Sequence, residues 1–86
     1  DAKAMRTPVL VLHGADDPYV PEEQVQAFQQ EMRNAGVDWQ MNIYGGAVHS
    51  FTDPTANMPG KAEYNPVVAE RAFAAMRRFL ADSMAR

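Results

Sequence analysis

The chain has 86 residues, 47% of them apolar, with a formal charge of -3 and a sequence pI near 5.2. That length allows one domain at most, or part of one, and the acidic balance, with Arg77-Arg78 as the only adjacent basic pair, excludes the basic footprint of a nucleic-acid binder. Cysteine is absent, which excludes disulfides, thiolate metal sites and cysteine nucleophiles within these residues, and no apolar run approaches the ~20 residues of a bilayer span.

The first residues, Asp1-Ala2-Lys3-Ala4-Met5-Arg6, have no apolar core and are not a signal peptide. They lack an initiator Met and run almost at once into a buried-type strand, so the expectation is an internal piece of a longer chain. The lack of cysteine fits a reducing compartment such as the cytoplasm.

Val9 to His13 is a continuous run rich in Val and Leu, typical of a parallel strand covered on both faces. Gly14-Ala15-Asp16-Asp17-Pro18 ends it with turn chemistry. A helix follows, with Pro21 suited to its first position and Glu22 and Glu23 favoured at its positive end. Val25, Phe28, Met32 and Ala35 form its apolar stripe, and Gly36 stops it. Trp39 to Tyr44 alternates, which predicts a drier face of Trp39, Met41 and Ile43 and a place near the sheet edge.

Residues 45–64 read as a long irregular segment punctuated by Gly45, Gly46, Pro54, Pro59 and Gly60. The last helix starts at Asn65-Pro66, a cap followed by Pro in the first turn. Its stripe of Ala69, Ala72, Phe73, Met76, Phe79, Leu80 and Met84 is expected to face the sheet. The order is β-α-β-α, whose first three elements form a crossover unit with parallel strands.

Asp17 and His49 stand just past the two strands, 32 positions apart, one crossover unit. In an open parallel sheet, chemistry collects at the carboxyl ends of the strands. A carboxylate that orients an imidazole, and an imidazole that moves a proton, are two parts of a nucleophilic hydrolase. Each residue also has a plain structural reading: Asp16 and Asp17 as turn formers, His49 as a loop histidine bonded to backbone. His13 reads as a crest or core residue. A metal site built from His13, Asp16, Asp17 and His49 lacks any ligand spacing that supports it. No nucleophile is present: Ser50 adjoins His49, Ser83 is near the end of the last helix, and neither sits in a Gly-x-Ser-x-Gly elbow.

Gly14-Ala15-Asp16-Asp17-Pro18-Tyr19-Val20-Pro21 resembles the acid loop of α/β-hydrolases, a strand followed by Gly-x-x-Asp-x-x-Val-Pro. Tyr44-Gly45-Gly46-Ala47-Val48-His49-Ser50-Phe51 resembles their histidine loop. His-Ser-Phe, a Pro-containing loop and a closing helix look most like the dienelactone hydrolase family, and the resemblance covers essentially the whole chain in order. It departs from the family at Val48, where Gly is frequent. The resemblance implies an α/β fold in which residues 1–86 are the C-terminal, β-α-β-α portion of a hydrolase sheet, with two parallel strands and two helices. It implies Asp17 as the triad acid, His49 as the general base and a structural role for Asp16. The family's Cys or Ser nucleophile and part of its oxyanion hole lie upstream of this segment.

The expected function is therefore part of an enzyme that hydrolyses a small ester or lactone through an acyl-enzyme intermediate, with no cofactor and no metal, the segment alone being inactive. Tyr19, Phe51 and Tyr64 are candidates to line the substrate pocket. The alternative is a non-catalytic module that self-associates through exposed strand edges, or binds a partner through the 45–64 loop. Neither reading involves nucleic acid or a membrane.

Overall fold

A computed structural model of the chain describes residues 7–85. The elements run β1 (Val9–Gly14), α1 (Glu22–Ala35), β2 (Trp39–Tyr44), β3 (Asn57–Met58), β4 (Ala62–Glu63) and α2 (Pro66–Met84). Strands β1 and β2 pair in parallel, from Val9 opposite Trp39 to Gly14 opposite Tyr44. Parallel neighbours need a crossover, and α1 supplies it. The fold is thus mixed α/β, a two-stranded parallel sheet with two helices.

Helix α1 begins one residue later than predicted. Pro21 is the N-cap, with extended backbone (φ -69°, ψ 159°), not the first helical residue. Its carbonyl accepts the N–H groups of Gln24 and Val25, so a residue without an N–H costs nothing there. At the other end Gly36 is left-handed (φ 68°), and Val37 N–H donates to the Met32 carbonyl at 3.3 Å, a Schellman closure. Asn65 caps α2 as expected, its Oδ1 accepting Val68 N–H at 3.1 Å.

Alternation along β1 sends Val11 and His13 to one face and Leu12 to the other. On the first face Val25 and Met32 of α1 are buried, and Val11, Phe28 and Met41 line a shared cavity. On the second, Leu12 and Tyr44 pack against a buried cluster of Ala47, Phe51, Val68 and Ala72. The sheet therefore has a small core on each side.

Three expectations change. Val9 to His13 is half-buried rather than enclosed, because two helices cover only part of a sheet whose strands each keep one open edge among the described residues. The drier face of β2 fails at its end: Ile43 is 52% exposed, while Tyr44 is drawn in against the Phe51 ring, 5.7 Å between centroids. The α2 stripe is covered only in its first half. Val68, Ala69 and Ala72 are buried, but Phe73, Met76, Leu80 and Met84 are exposed because the helix outruns the narrow sheet.

Residues 45–64 are also more ordered than predicted. Strands β3 and β4 form a short antiparallel ribbon closed at Pro59-Gly60, and Ala62 bridges to His49 in parallel. Two-residue strands are too short to leave a periodic trace in sequence. Among the described residues, no helix is long and apolar enough to cross a membrane.

Candidate active site

Strand β1 delivers the chain to a crest where two loops meet. Gly14 is buried, and a Cβ there would lie 2.7 Å from the carbonyl oxygens of both Ala47 and Val48. Its φ is not positive, so space and not backbone conformation demands glycine. This contact brings the acid loop against the histidine loop.

Asp17 follows. Its Oδ1 accepts the Tyr19 N–H at 2.8 Å in an Asx turn, and its Oδ2 lies 3.0 Å from His49 Nδ1. The Asp17 side chain is 7% exposed and that of His49 48%. A carboxylate can only accept, so the contact is a hydrogen bond when Nδ1 carries the ring proton, and in that tautomer Nε2 keeps its lone pair. The buried carboxylate thus sits where it can orient the ring, and the other edge of the imidazole is open to solvent.

His49 is held from several sides. Gly46, with φ 77°, turns the chain after β2, and Ala47 is fully buried behind the turn. His49 N–H donates to the Lys61 carbonyl at 3.2 Å, and the His49 carbonyl accepts Glu63 N–H at 3.1 Å. Both backbone groups of the histidine are therefore bonded to the ribbon. The next residue, Ser50, has φ 56°, a left-handed conformation uncommon outside glycine. Tyr19 meets the imidazole edge-on, 5.1 Å between centroids with planes at 72°.

A cavity of about 530 Å³ opens beside the pair, bordered by Leu12, Phe51, Phe73 and Met76 as well as Asp17 and His49. The structure thus brings Asp17, His49 and Tyr19 together. Phe51 is buried in the core cluster and reaches the cavity only as part of its wall, and neither Tyr19, which meets the imidazole, nor Tyr64 borders it. His13 is half-buried at the strand end and also borders an apolar cavity of about 500 Å³ under α1. Among the described residues, no group of three or more His, Asp or Glu is arranged to hold a metal ion.

Two supports escaped the sequence. Asp16 does more than turn the chain: its Oδ2 accepts Gly46 N–H at 2.9 Å across the two loops. The ribbon that holds His49 was hidden in a segment read as irregular. Turn propensity alone does not separate the aspartate that faces the imidazole from the one that faces the loop backbone; only the resemblance to the acid loop does.

The model of the dienelactone hydrolase family matches residues 1–84. A solved dienelactone hydrolase-like promiscuous phosphotriesterase, P91, from metagenomic libraries, is 42% identical with a TM-score of 0.87, over 95% of this chain and 35% of its own. A structure designated m3DLH is 44% identical with a TM-score of 0.85, again over 95% of this chain and 35% of its own. The uncharacterized protein K02A2.1 of Caenorhabditis elegans is 34% identical over 79 residues, 90% of this chain and 50% of that protein. The chain thus spans about half the length of that curated relative and about a third of the solved ones. With a shared fold and a family match along nearly its full length, the chain belongs to the dienelactone hydrolase family.

Proposed function

We propose that Asp17 and His49 are the acid and the general base of a nucleophile–His–acid triad in a carboxylic ester or lactone hydrolase, and that residues 1–86 are the C-terminal part of its domain. One observation carries this reading: a 3.0 Å contact between His49 Nδ1 and a nearly buried Asp17 Oδ2, at the carboxyl ends of adjacent parallel strands. The relatives, which extend well beyond the matched third, support a hydrolase parent.

The chemistry follows from the ring's tautomer. His49 Nε2 takes the proton of a Ser or Cys nucleophile as it attacks the ester carbonyl. The imidazolium that forms is held by Asp17, and its proton passes to the leaving group. In the second half, Nε2 draws a proton from water, which attacks the acyl group and frees the nucleophile. The nucleophile is on a segment outside these residues, so the 86-residue chain alone does not perform the reaction. The description of P91 adds phosphotriesters to the electrophiles worth assaying.

The test has two arms. In the encoded protein, a strand followed by Gly-x-Ser-x-Gly or Gly-x-Cys-x-Gly is expected before Asp1. That protein is expected to hydrolyse p-nitrophenyl acetate or a simple lactone and to lose the activity on His49→Ala. The isolated segment is expected to form no acyl-enzyme. Hydrolysis untouched by His49→Ala, or an acyl-enzyme on the segment itself, overturns the reading.

A second reading is supported by a separate observation. Ile43, Phe73, Met76, Leu80 and Met84 are exposed, and both strands of the sheet keep an open edge among the described residues. Burying a large apolar side chain stabilises by about 1.5–3 kcal/mol, and open edges pair readily. Copies of the isolated segment therefore associate. Light scattering of the purified segment is expected to show an oligomer that Leu80→Lys shifts toward monomer; a folded, monodisperse monomer contradicts association.

A further inference from the structure

We infer that Asp16 is a positioning residue, a clamp that fixes the histidine loop to the acid loop and so keeps Asp17 and His49 at bonding distance. The inference rests on the proposed role of that pair. The parallel ladder ends where Gly14 stands opposite Tyr44, and Ala15 N–H still reaches the Tyr44 carbonyl at 2.8 Å. Past that point nothing in a parallel sheet obliges the two loops to stay together. Asp16 supplies what the ladder no longer does. Its N–H donates to the Ala47 carbonyl at 3.0 Å, and its carboxylate accepts Gly46 N–H at 2.9 Å.

These two bonds point in opposite directions along the same pair of loops, so together they fix both separation and register. Gly46 is the turn residue with φ 77°, and its conformation aims the N–H at the carboxylate. Asp16 adjoins Asp17, and Gly46 lies three residues before His49. A sliding of either loop would be felt directly in the gap between the imidazole and the acid. Gly14 permits the close approach and Asp16 locks it.

The geometry also separates this role from a purely electrostatic one. Asp16 itself is exposed, and its oxygen is spent on a backbone N–H. What matters is an acceptor at that place, which an asparagine carbonyl oxygen also provides.

NMR of the encoded protein, labelled with ¹⁵N and ¹³C, tests this. In the unaltered protein, a coupling across the hydrogen bond between the Gly46 nitrogen and the Asp16 carboxyl carbon is expected, together with a His49 ring fixed in the Nδ1–H tautomer. In Asp16→Ala, Gly46 amide exchange should accelerate at least tenfold and the His49 ring signals should move toward a mixture of tautomers. Asp16→Asn should restore both. Asp16→Ala with unchanged His49 ring signals overturns the clamp, as does a well-dispersed spectrum of the unaltered protein without the coupling. Should Asp16→Ala fail to fold, the coupling and Asp16→Asn decide, and an asparagine variant that loses the tautomer assigns the effect to charge and overturns the inference. Asp17→Asn gives the separate control: if it leaves the His49 tautomer unaltered, the dyad reading fails, while the Gly46 response still reports on the clamp.

Discussion

The crest and the outer half of α2 are built on opposite terms. At the crest, Asp17, His49, Asp16, Gly46 and the ribbon satisfy one another through bonds of 2.8–3.2 Å, all within these residues. Along α2 beyond Ala72, the apolar residues Phe73, Met76, Leu80 and Met84 lie open to solvent. The difference teaches that the orientation of the imidazole is set by short-range polar contacts among two loops and a ribbon. The hydrophobic core, by contrast, needs more covering surface than two strands and two helices provide. Chemistry-bearing geometry is local here, while the outer half of α2 keeps its apolar face uncovered among the described residues.

The comparison can be broken most sharply at the pair itself. If the encoded protein carries the proposed ester hydrolysis, His49→Ala is expected to lower kcat by about 10⁶-fold and Asp17→Asn by about 10⁴-fold, in line with the loss of a base and of its orienting acid. Steady-state kinetics with an ester substrate checks both, and equal effects from the two variants contradict the assigned division of roles.

A second effect tests whether the crest depends on close backbone approach. Gly14→Ala puts a methyl group 2.7 Å from two carbonyl oxygens, and the backbone must move. Overpacking of this kind costs about 1–3 kcal/mol, read as a lower urea midpoint. The His49–Asp17 contact should lengthen with it. A variant as stable as the parent removes the steric explanation for this glycine.

The start of α2 sharpens the other side of the comparison. Asn65→Ala removes the bond to Val68 N–H and is expected to cost about 1 kcal/mol in chemical denaturation, with the ring tautomer of His49 unchanged. If the imidazole responds as well, crest and helix are not separable.

The smallest effect is a pH dependence in the loop after His49. Asp53 accepts the N–H of Thr55 at 2.9 Å and its hydroxyl at 2.7 Å, and these bonds hold its carboxyl below the ordinary 3.8, the backbone bond contributing most. A lowered value in the folded state stabilises above the unfolded value, and that stability is lost as pH falls below 3.8 and through the folded value. Thermal unfolding at pH 6 and pH 3 should therefore show a slightly smaller acid loss for Asp53→Asn. An identical acid loss in both proteins assigns the sensitivity elsewhere.

The order of strands and main helices, the cap at Asn65, the stop at Gly36 and the pairing of Asp17 with His49 were all legible in the residues. Each depends on chemistry within a few positions, or on the rule that consecutive parallel strands end on the same side. The β3–β4 ribbon was not legible, since two-residue strands carry no periodicity and their pairing joins residues on either side of a turn. The division between Asp16 and Asp17 was legible only through the family's loop pattern, because both residues form turns equally well.

By itself, then, the amino-acid order determined the two parallel strands, the two helices and which polar residues reach the end of the sheet. Alternation, helical spacing and turn chemistry act over a few residues and need no knowledge of the whole. Only tertiary structure decided which residues stay wet. Ile43 and Leu80 have core composition but lie exposed, and Tyr44 is drawn inward, because burial depends on what another element lays over a side chain. The same holds for Gly14: its need for glycine comes from the Ala47 and Val48 carbonyls, more than thirty residues away, and from nothing in its own neighbourhood.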